Sequence, residues 1–135
     1  MKRCTNFIPY GRHAVGQDDI KAVEAVLRGD WLTCGSVVEA FEQGLCQTVK
    51  SPYAISCSNG TTALHLALLA LGIRSGDAVV VPAITFLASA NAVRFVGADV
   101  IFADVDPDTG LMTAHTLQKA IRNYSHNSKI KAVIN

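Results

Sequence analysis

The residues best suited to chemistry form a short turn, Ser58-Asn59-Gly60-Thr61-Thr62, between a predicted strand and a predicted Ala/Leu-rich helix. The first N–H groups of a helix have no partner inside it, and the helix dipole adds partial positive charge there. A phosphate can therefore bind at this turn, with Gly60 admitting it close to the backbone and the Thr61 and Thr62 hydroxyls adding hydrogen bonds. A helix capped by Ser58 or Asn59 with nothing bound explains the same residues equally well.

Phe86 is the second candidate, because it stands at the end of an apolar strand pattern and at the start of a helical one. An aromatic ring exposed there can stack on a flat heterocycle, with a gain of roughly 0.5 to 1.5 kcal/mol. Taken alone, Phe86 is better explained as a core residue. The turn strengthens the interpretation of Phe86 as a ligand-binding residue, because both are predicted at the carboxyl ends of parallel strands, where ligands bind in open α/β sheets.

Other kinds of site are not supported by the sequence. The phosphate motifs GxGxxG and GxxxxGK[ST] are absent, which argues against a dinucleotide fold and a P-loop. Residues 104–110 alternate aspartates, but Thr109 and His115 stand where a calcium loop needs glycine and glutamate, so a strand end and a turn are predicted. The cysteines and histidines have no zinc spacing and no metal site is predicted; the cysteines are interpreted as reduced, with Cys57 buried in a strand.

The composition fits a folded protein that binds a small molecule or another protein. Half of the 135 residues are hydrophobic, which is enough to bury a sizeable core. The 12 basic and 11 acidic residues form no block of like charge, which argues against nucleic acid or an anionic membrane as partner. No signal-peptide core follows the N-terminus, and the most apolar stretch, residues 78–93, is shorter than the roughly 20 residues of a membrane helix. A cytoplasmic location is predicted.

The hydrophobic pattern predicts two regions, residues 1–50 and 51–135. The first is an N-terminal arm with two amphipathic helices, one within residues 16–30 and one over 37–45. The second alternates short apolar strands with helices, which predicts an α/β fold with a mainly parallel, buried sheet and helices on both faces. The predicted strands are residues 53–57, 78–82, 100–105 and 130–134, and the predicted helices are residues 62–71, 87–96 and 114–124. The last strand has no helix after it, so we expect a chain truncated at its C-terminus.

In order and spacing, residues 8–35, 37–42, 58–93 and 97–110 resemble the DegT/DnrJ/StrS family of nucleotide-sugar aminotransferases, which use pyridoxal phosphate (PLP). The resemblance implies the N-terminal part of a fold type I PLP-dependent transferase large domain, and a homodimer when the protein is intact. The opening IPYGR, residues 8–12, is most similar to transaminases on the route to pseudaminic acid. These enzymes aminate a UDP-linked 4-keto-6-deoxy sugar, with an amino donor such as glutamate.

The resemblance also implies roles for individual residues. It places the PLP phosphate at Gly60, Thr61 and Thr62, and it places Phe86 over the face of the pyridine ring. The residues that it implies near the nucleotide-linked sugar are Tyr10, Trp31 and Thr33.

The chain departs from the family pattern in two respects. Many relatives have Asn-Ser where this chain has Ser58-Asn59, a swap that should keep the backbone donors and change the local side-chain hydrogen bonds. The family's aspartate and Schiff-base lysine are expected beyond Asn135, because the histidine offset before Lys129 is wrong for the lysine motif and Lys129 is interpreted as solvated. The 135-residue chain is therefore expected to be inactive alone.

Two alternatives stay open. Some relatives have histidine in place of the lysine and dehydrate sugars, and nothing before Asn135 separates them from the aminotransferases. The other alternative is a non-catalytic phosphate-binding or interaction fragment, which predicts weak or no PLP binding and exposed apolar surface.

Overall fold

The computed structural model describes residues 11–135, and Tyr10 lies outside them. The described chain forms two compact units, residues 11–56 and Cys57–Asn135. No helix within residues 11–135 has both the length and the apolar composition that a membrane crossing requires.

The first unit contains two helices, α1 (Gln17–Leu27) and α2 (Ser36–Val49), which confirms the two predicted from periodicity. At the start of α1, the Gly16 backbone N–H donates a hydrogen bond of 2.7 Å to the Asp19 carboxylate. Acidic residues in this first turn also complement the helix dipole. Neither helix has a buried residue, so within this unit their apolar faces are open.

The second unit alternates helices and strands. Its elements are α3 (Gly60–Ala70), β1 (Asp77–Pro82), α4 (Leu87–Phe95), β2 (Asp99–Ala103), α5 (Ala114–Asn123) and β3 (Lys129–Val133). The strands form one sheet in the order β2-β1-β3, and both strand pairs are parallel. A helix makes each connection from one parallel strand to the next. The predicted α/β fold with a parallel sheet is thus confirmed.

The sheet has β1 at its centre, and all six residues of β1 are buried. Successive side chains of a strand point to opposite faces of its sheet. Val79 and Val81 accordingly pack in one cluster with Val93 of α4. Val80 belongs to a second cluster, against which Leu117 of α5 packs. Helices therefore cover both faces of the sheet, as predicted.

Residues 53–57 do not form the predicted strand. Tyr53 and Ile55 are 83% and 84% exposed, and no strand within residues 11–135 pairs with them. An apolar run becomes a strand only when a neighbouring strand takes up its backbone hydrogen bonds, so the local pattern alone is not sufficient. Cys57 is accordingly exposed, and the prediction that it is buried in a strand is wrong.

The strands β2 and β3 are the edges of the described sheet, and neither is buried throughout as its apolar sequence predicted. Phe102 of β2 is 60% exposed, and Val133 of β3 is 44% exposed. Each of these strands has β1 as its single neighbour among the described residues, which leaves its other side open.

Candidate functional site

The turn singled out in the sequence leads into α3, whose N-terminus faces the carboxyl end of the sheet. The 11 residues of α3 span about 16 Å, and the six of β1 span about 20 Å. Residues 71–76 connect the two elements. Because this connection is short and α3 packs on the sheet, α3 runs antiparallel to β1 and its first turn lies toward Pro82. Ligands bind at this end of open parallel sheets.

Asn59 caps α3, as one of the two interpretations of the turn predicted. Its Oδ1 accepts hydrogen bonds from the Thr62 backbone N–H at 2.9 Å and from the Thr62 hydroxyl at 3.1 Å. The Thr62 hydroxyl also lies 3.2 Å from the Ser58 hydroxyl. The polar groups of Thr62 are thus engaged inside the turn, and its backbone N–H is not free for a ligand.

Gly60 and Thr61 carry the donors of the turn that stay available. The backbone N–H groups of these first two helical residues have no partner inside α3, and Thr61 forms no side-chain hydrogen bond within residues 11–135. Gly60 does not have a left-handed conformation, and a Cβ added to it would meet nothing within 4 Å. Neither backbone conformation nor crowding by the protein requires glycine here. What glycine does provide is an open approach to the backbone donors.

Phe86 occupies the N-cap position of α4, three residues beyond the first residue after β1. The Ala83 backbone N–H still donates to the Ala103 carbonyl at 2.8 Å, which ties this connection to the end of β2. Phe86 therefore lies at the carboxyl edge of the sheet, as predicted. Its side chain is 75% exposed, so the interpretation of Phe86 as a core residue is wrong. An exposed aromatic ring at this edge is free to stack on a ligand.

Of the three residues predicted to lie near a sugar, Trp31 and Thr33 are within the described residues, and they are not in the unit that holds the turn. Trp31 and Thr33 lie in the connection between α1 and α2, and both are exposed. The turn and Phe86 belong to the second unit. The structure thus brings Gly60, Thr61 and Phe86 to one edge of one sheet. The location of Trp31 and Thr33 near a sugar stays a prediction.

Two polar contacts, one in each unit, were not found by sequence reasoning. The Thr85 and Ser89 hydroxyls lie 3.1 Å apart on either side of Phe86, and the spacing of four residues between them was the available signal. In the first unit, the Glu42 carboxylate accepts hydrogen bonds from the Ser56 backbone N–H at 2.7 Å and the Ser56 hydroxyl at 2.8 Å. The backbone bond, followed by the hydroxyl bond, lowers the pKa of Glu42 below its ordinary value.

Comparison with known proteins assigns the chain to a family. Residues 13–135 match the family described as the DegT/DnrJ/EryC1/StrS aminotransferase family. Because the match extends over most of the chain, the chain belongs to this family, and the family resemblance seen in the sequence is confirmed.

Solved aminotransferase structures have the same fold. Spr1654 of Streptococcus pneumoniae, named as a sugar aminotransferase, is 30% identical to this chain and superposes with a TM-score of 0.81. The match covers 93% of this chain and 31% of Spr1654. An aminotransferase of Psychrobacter cryohalolentis is 34% identical with a TM-score of 0.75 and the same coverage. A DegT/DnrJ/EryC1/StrS aminotransferase of Brucella abortus is 34% identical, with a TM-score of 0.71. This match covers 85% of this chain and 31% of the Brucella protein. The chain thus spans about a third of the length of these relatives.

Proposed function

We propose that this chain supplies the cofactor-phosphate turn and the ring-stacking residue of a PLP-dependent sugar aminotransferase. The observation that carries the proposal is Gly60, whose glycine is required neither by its conformation nor by its neighbours and whose N–H points out of a helix N-terminus. Family membership supports the same assignment. Spr1654, a similar protein, has been solved in PLP and PMP forms.

The residues at this edge fit the chemistry of the cofactor. When bound, PLP acts as the electron sink for transfer of an amino group. Gly60 and Thr61 would donate their backbone N–H groups to its phosphate, and the Thr61 hydroxyl would add a third donor. Thr62 supports the turn through Asn59, so its part in the predicted set of three is structural. Phe86 would stack on one face of the pyridine ring.

The substrate in this proposal is a nucleotide-linked 4-keto-6-deoxy sugar, UDP-linked by preference, which receives an amino group from a donor such as glutamate. The similarity of residues 8–12 to transaminases of pseudaminic acid synthesis supports this choice. Tyr10, Trp31 and Thr33 are proposed to lie near that substrate. The catalytic aspartate and lysine are proposed to follow Asn135 in a cytoplasmic homodimer, so the 135-residue chain alone is inactive.

The test uses the protein expressed from its complete reading frame, with PLP, glutamate and a UDP-linked 4-keto-6-deoxy sugar. We expect the amino sugar and 2-oxoglutarate to form in equal amounts, measured by mass spectrometry. Loss of water from the sugar without amino transfer would replace the proposal with the dehydratase alternative. Absence of both reaction and PLP binding would overturn it in favour of an interaction fragment. Turnover by the 135-residue chain would contradict the placement of the catalytic residues beyond Asn135.

A matched pair of variants tests the phosphate turn itself. Thr61→Val should weaken binding of pyridoxamine 5′-phosphate (PMP) by about tenfold, the effect of one lost hydrogen bond to a charged group. Thr62→Val removes a hydroxyl that is bonded to Asn59 and Ser58, so it should lower unfolding stability and change PMP affinity less. A larger loss of affinity in Thr62→Val than in Thr61→Val would mean that Thr62 contacts the phosphate.

A further inference from the structure

Phe86 occupies the N-cap position of α4, but its side chain cannot cap the helix. The N-cap residue of a helix normally offers a side-chain oxygen to a backbone N–H of the first turn, and Ser, Thr, Asp and Asn are preferred for that reason. Phe86 has no such oxygen, and α4 has no side-chain cap. The ring is 75% exposed, so core packing does not explain its presence either. A capping position is thus occupied by an exposed aromatic ring.

A hydroxyl pair closes the first turn of α4 in place of a cap. The Thr85 Oγ1 and Ser89 Oγ atoms lie 3.1 Å apart, one residue before and three residues after Phe86. Ser89 is buried, with 7% exposure, and its backbone N–H donates to the Phe86 carbonyl at 3.0 Å. The hydroxyl pair and this backbone bond therefore hold the chain on both sides of Phe86.

The start of α3 has a similar hydroxyl pair together with a side-chain cap. In α3 the hydroxyls of Ser58 and Thr62 occupy the same two positions relative to the N-cap and lie 3.2 Å apart. There the N-cap residue is Asn59, which also accepts the backbone N–H of Thr62. The two helix starts share this hydroxyl spacing, and α4 has an aromatic ring where α3 has its cap. In α4 the hydroxyl pair is the side-chain contact that fixes this turn.

We propose that Thr85 and Ser89 are positioning residues that fix the direction of the Phe86 ring against the face of the bound cofactor. The inference rests on the proposed function, in which Phe86 stacks on the pyridine ring. Because the Phe86 side chain is solvent-exposed, its direction depends on the backbone that carries it. Losing either hydroxyl leaves the first turn of α4 held by the backbone bond alone and lets the ring leave the stacking position. The phosphate donors of Gly60 and Thr61 belong to another helix and are unaffected.

The experiment uses the protein from its complete reading frame and PMP, which binds without a covalent bond. The variants are Ser89→Ala and Thr85→Val, with Ser89→Thr and Thr85→Ser as controls that keep a hydroxyl. We expect the Kd of PMP to rise about three- to tenfold in the first two, which corresponds to loss of a stacking contact, and to stay near wild type in the controls. The inhibition constant of inorganic phosphate as a competitor should not change, and thermal unfolding shows which variants remain folded.

A double-mutant cycle with Phe86→Ala separates positioning from a general effect on folding. If the hydroxyl pair acts through the ring, Ser89→Ala has no further effect on the Kd of PMP once the ring is gone. A persisting effect in Phe86→Ala, or an equal loss of phosphate binding, would overturn the inference. Weakened PMP binding in Phe86→Ala with no change in either hydroxyl variant overturns the inference and leaves the proposed function intact. Failure of the wild-type protein to bind PMP overturns both.

Discussion

The Asn59 side-chain oxygen lies 2.9 Å from the Thr62 backbone nitrogen, so the cap of α3 takes one of the donors that the sequence offered to a phosphate. This contact separates two functions that the sequence pattern could not separate. Asn59 and Thr62 hold the turn, whereas Gly60 and Thr61 present free donors. The order Ser58-Asn59 places an amide side chain at the cap.

Substitution of Asn59 should affect stability in proportion to its capping ability. Asn59→Ala should lower the free energy of unfolding by about 1 kcal/mol, because alanine offers no oxygen to the Thr62 N–H. Asn59→Ser should cost only a few tenths of a kcal/mol, since serine caps nearly as well. Urea unfolding of both variants measures the difference. Equal losses would show that Asn59 stabilises the protein by some means other than the cap.

Gly60→Ala should raise stability and lower cofactor affinity at the same time. Alanine favours the helix by up to about 1 kcal/mol over glycine, and its methyl group meets no protein atom within 4 Å. The same methyl group would stand where the phosphate is proposed to approach, so we expect PMP to bind about tenfold more weakly, the effect of one lost charged hydrogen bond.

The matched control for Gly60→Ala is Gly44→Ala. Gly44 lies inside α2, and a Cβ added there also meets nothing within 4 Å. Gly44→Ala should stabilise the protein by a similar amount and leave PMP affinity unchanged. Unchanged PMP affinity in Gly60→Ala would place the phosphate elsewhere.

Most of the fold could be predicted from the sequence, because hydrophobic periodicity reports burial. The run from Ala78 to Pro82 is apolar at every position, and within residues 11–135 β1 is the one strand that is covered on both faces and paired on both sides. The helices α3, α4 and α5 were predicted to within two residues at each end. The same signal overestimated the burial of β2 and β3, because an apolar sequence does not reveal whether a strand lies at an edge.

The remaining features depend on contacts that no local pattern contains. Residues 53–57 have the composition of a strand but lack a pairing partner within residues 11–135. The choice between capping and phosphate binding at the turn depended on where one amide oxygen points, and the structure shows that Asn59 caps while Gly60 stays open. The contact between Ser89 and Thr85 could not be predicted, because a serine inside a helix gives no local signal of its partner.

The central strand should be sensitive to loss of volume. Val79 is fully buried between the sheet and its helices, so Val79→Ala should lower the free energy of unfolding by about 2 kcal/mol through lost burial and a residual cavity. Val133→Ala, at an edge strand where the side chain is 44% exposed, should cost less than about half of that. Denaturant unfolding compares the two variants. A similar cost at both positions would contradict the assignment of β1 as the centre of the core.

Asp77 should contribute to the acid sensitivity of the fold. Burial at the start of β1 raises the pKa of its carboxyl group. Lys131 opposes this through a hydrogen bond of 3.1 Å and its positive charge, and the Arg74 backbone N–H donates a second bond at 3.0 Å. The net effect lowers the pKa below its ordinary value of 3.8. A folded-state pKa below the unfolded value means that the stabilisation is complete above pH 3.8 and is lost as pH falls through the folded-state pKa.

The Tm difference between wild type and Asp77→Asn should therefore be largest near neutral pH and shrink toward pH 2. Lys131→Met removes one hydrogen bond and one positive charge from the Asp77 carboxylate and leaves the Arg74 bond, so it should reduce the pH-dependent part of the stability that Asp77 contributes. Asp108→Asn, at an exposed turn position, is the control, and a Tm difference for Asp77→Asn that stays constant from pH 6 to pH 2 would rule out this linkage.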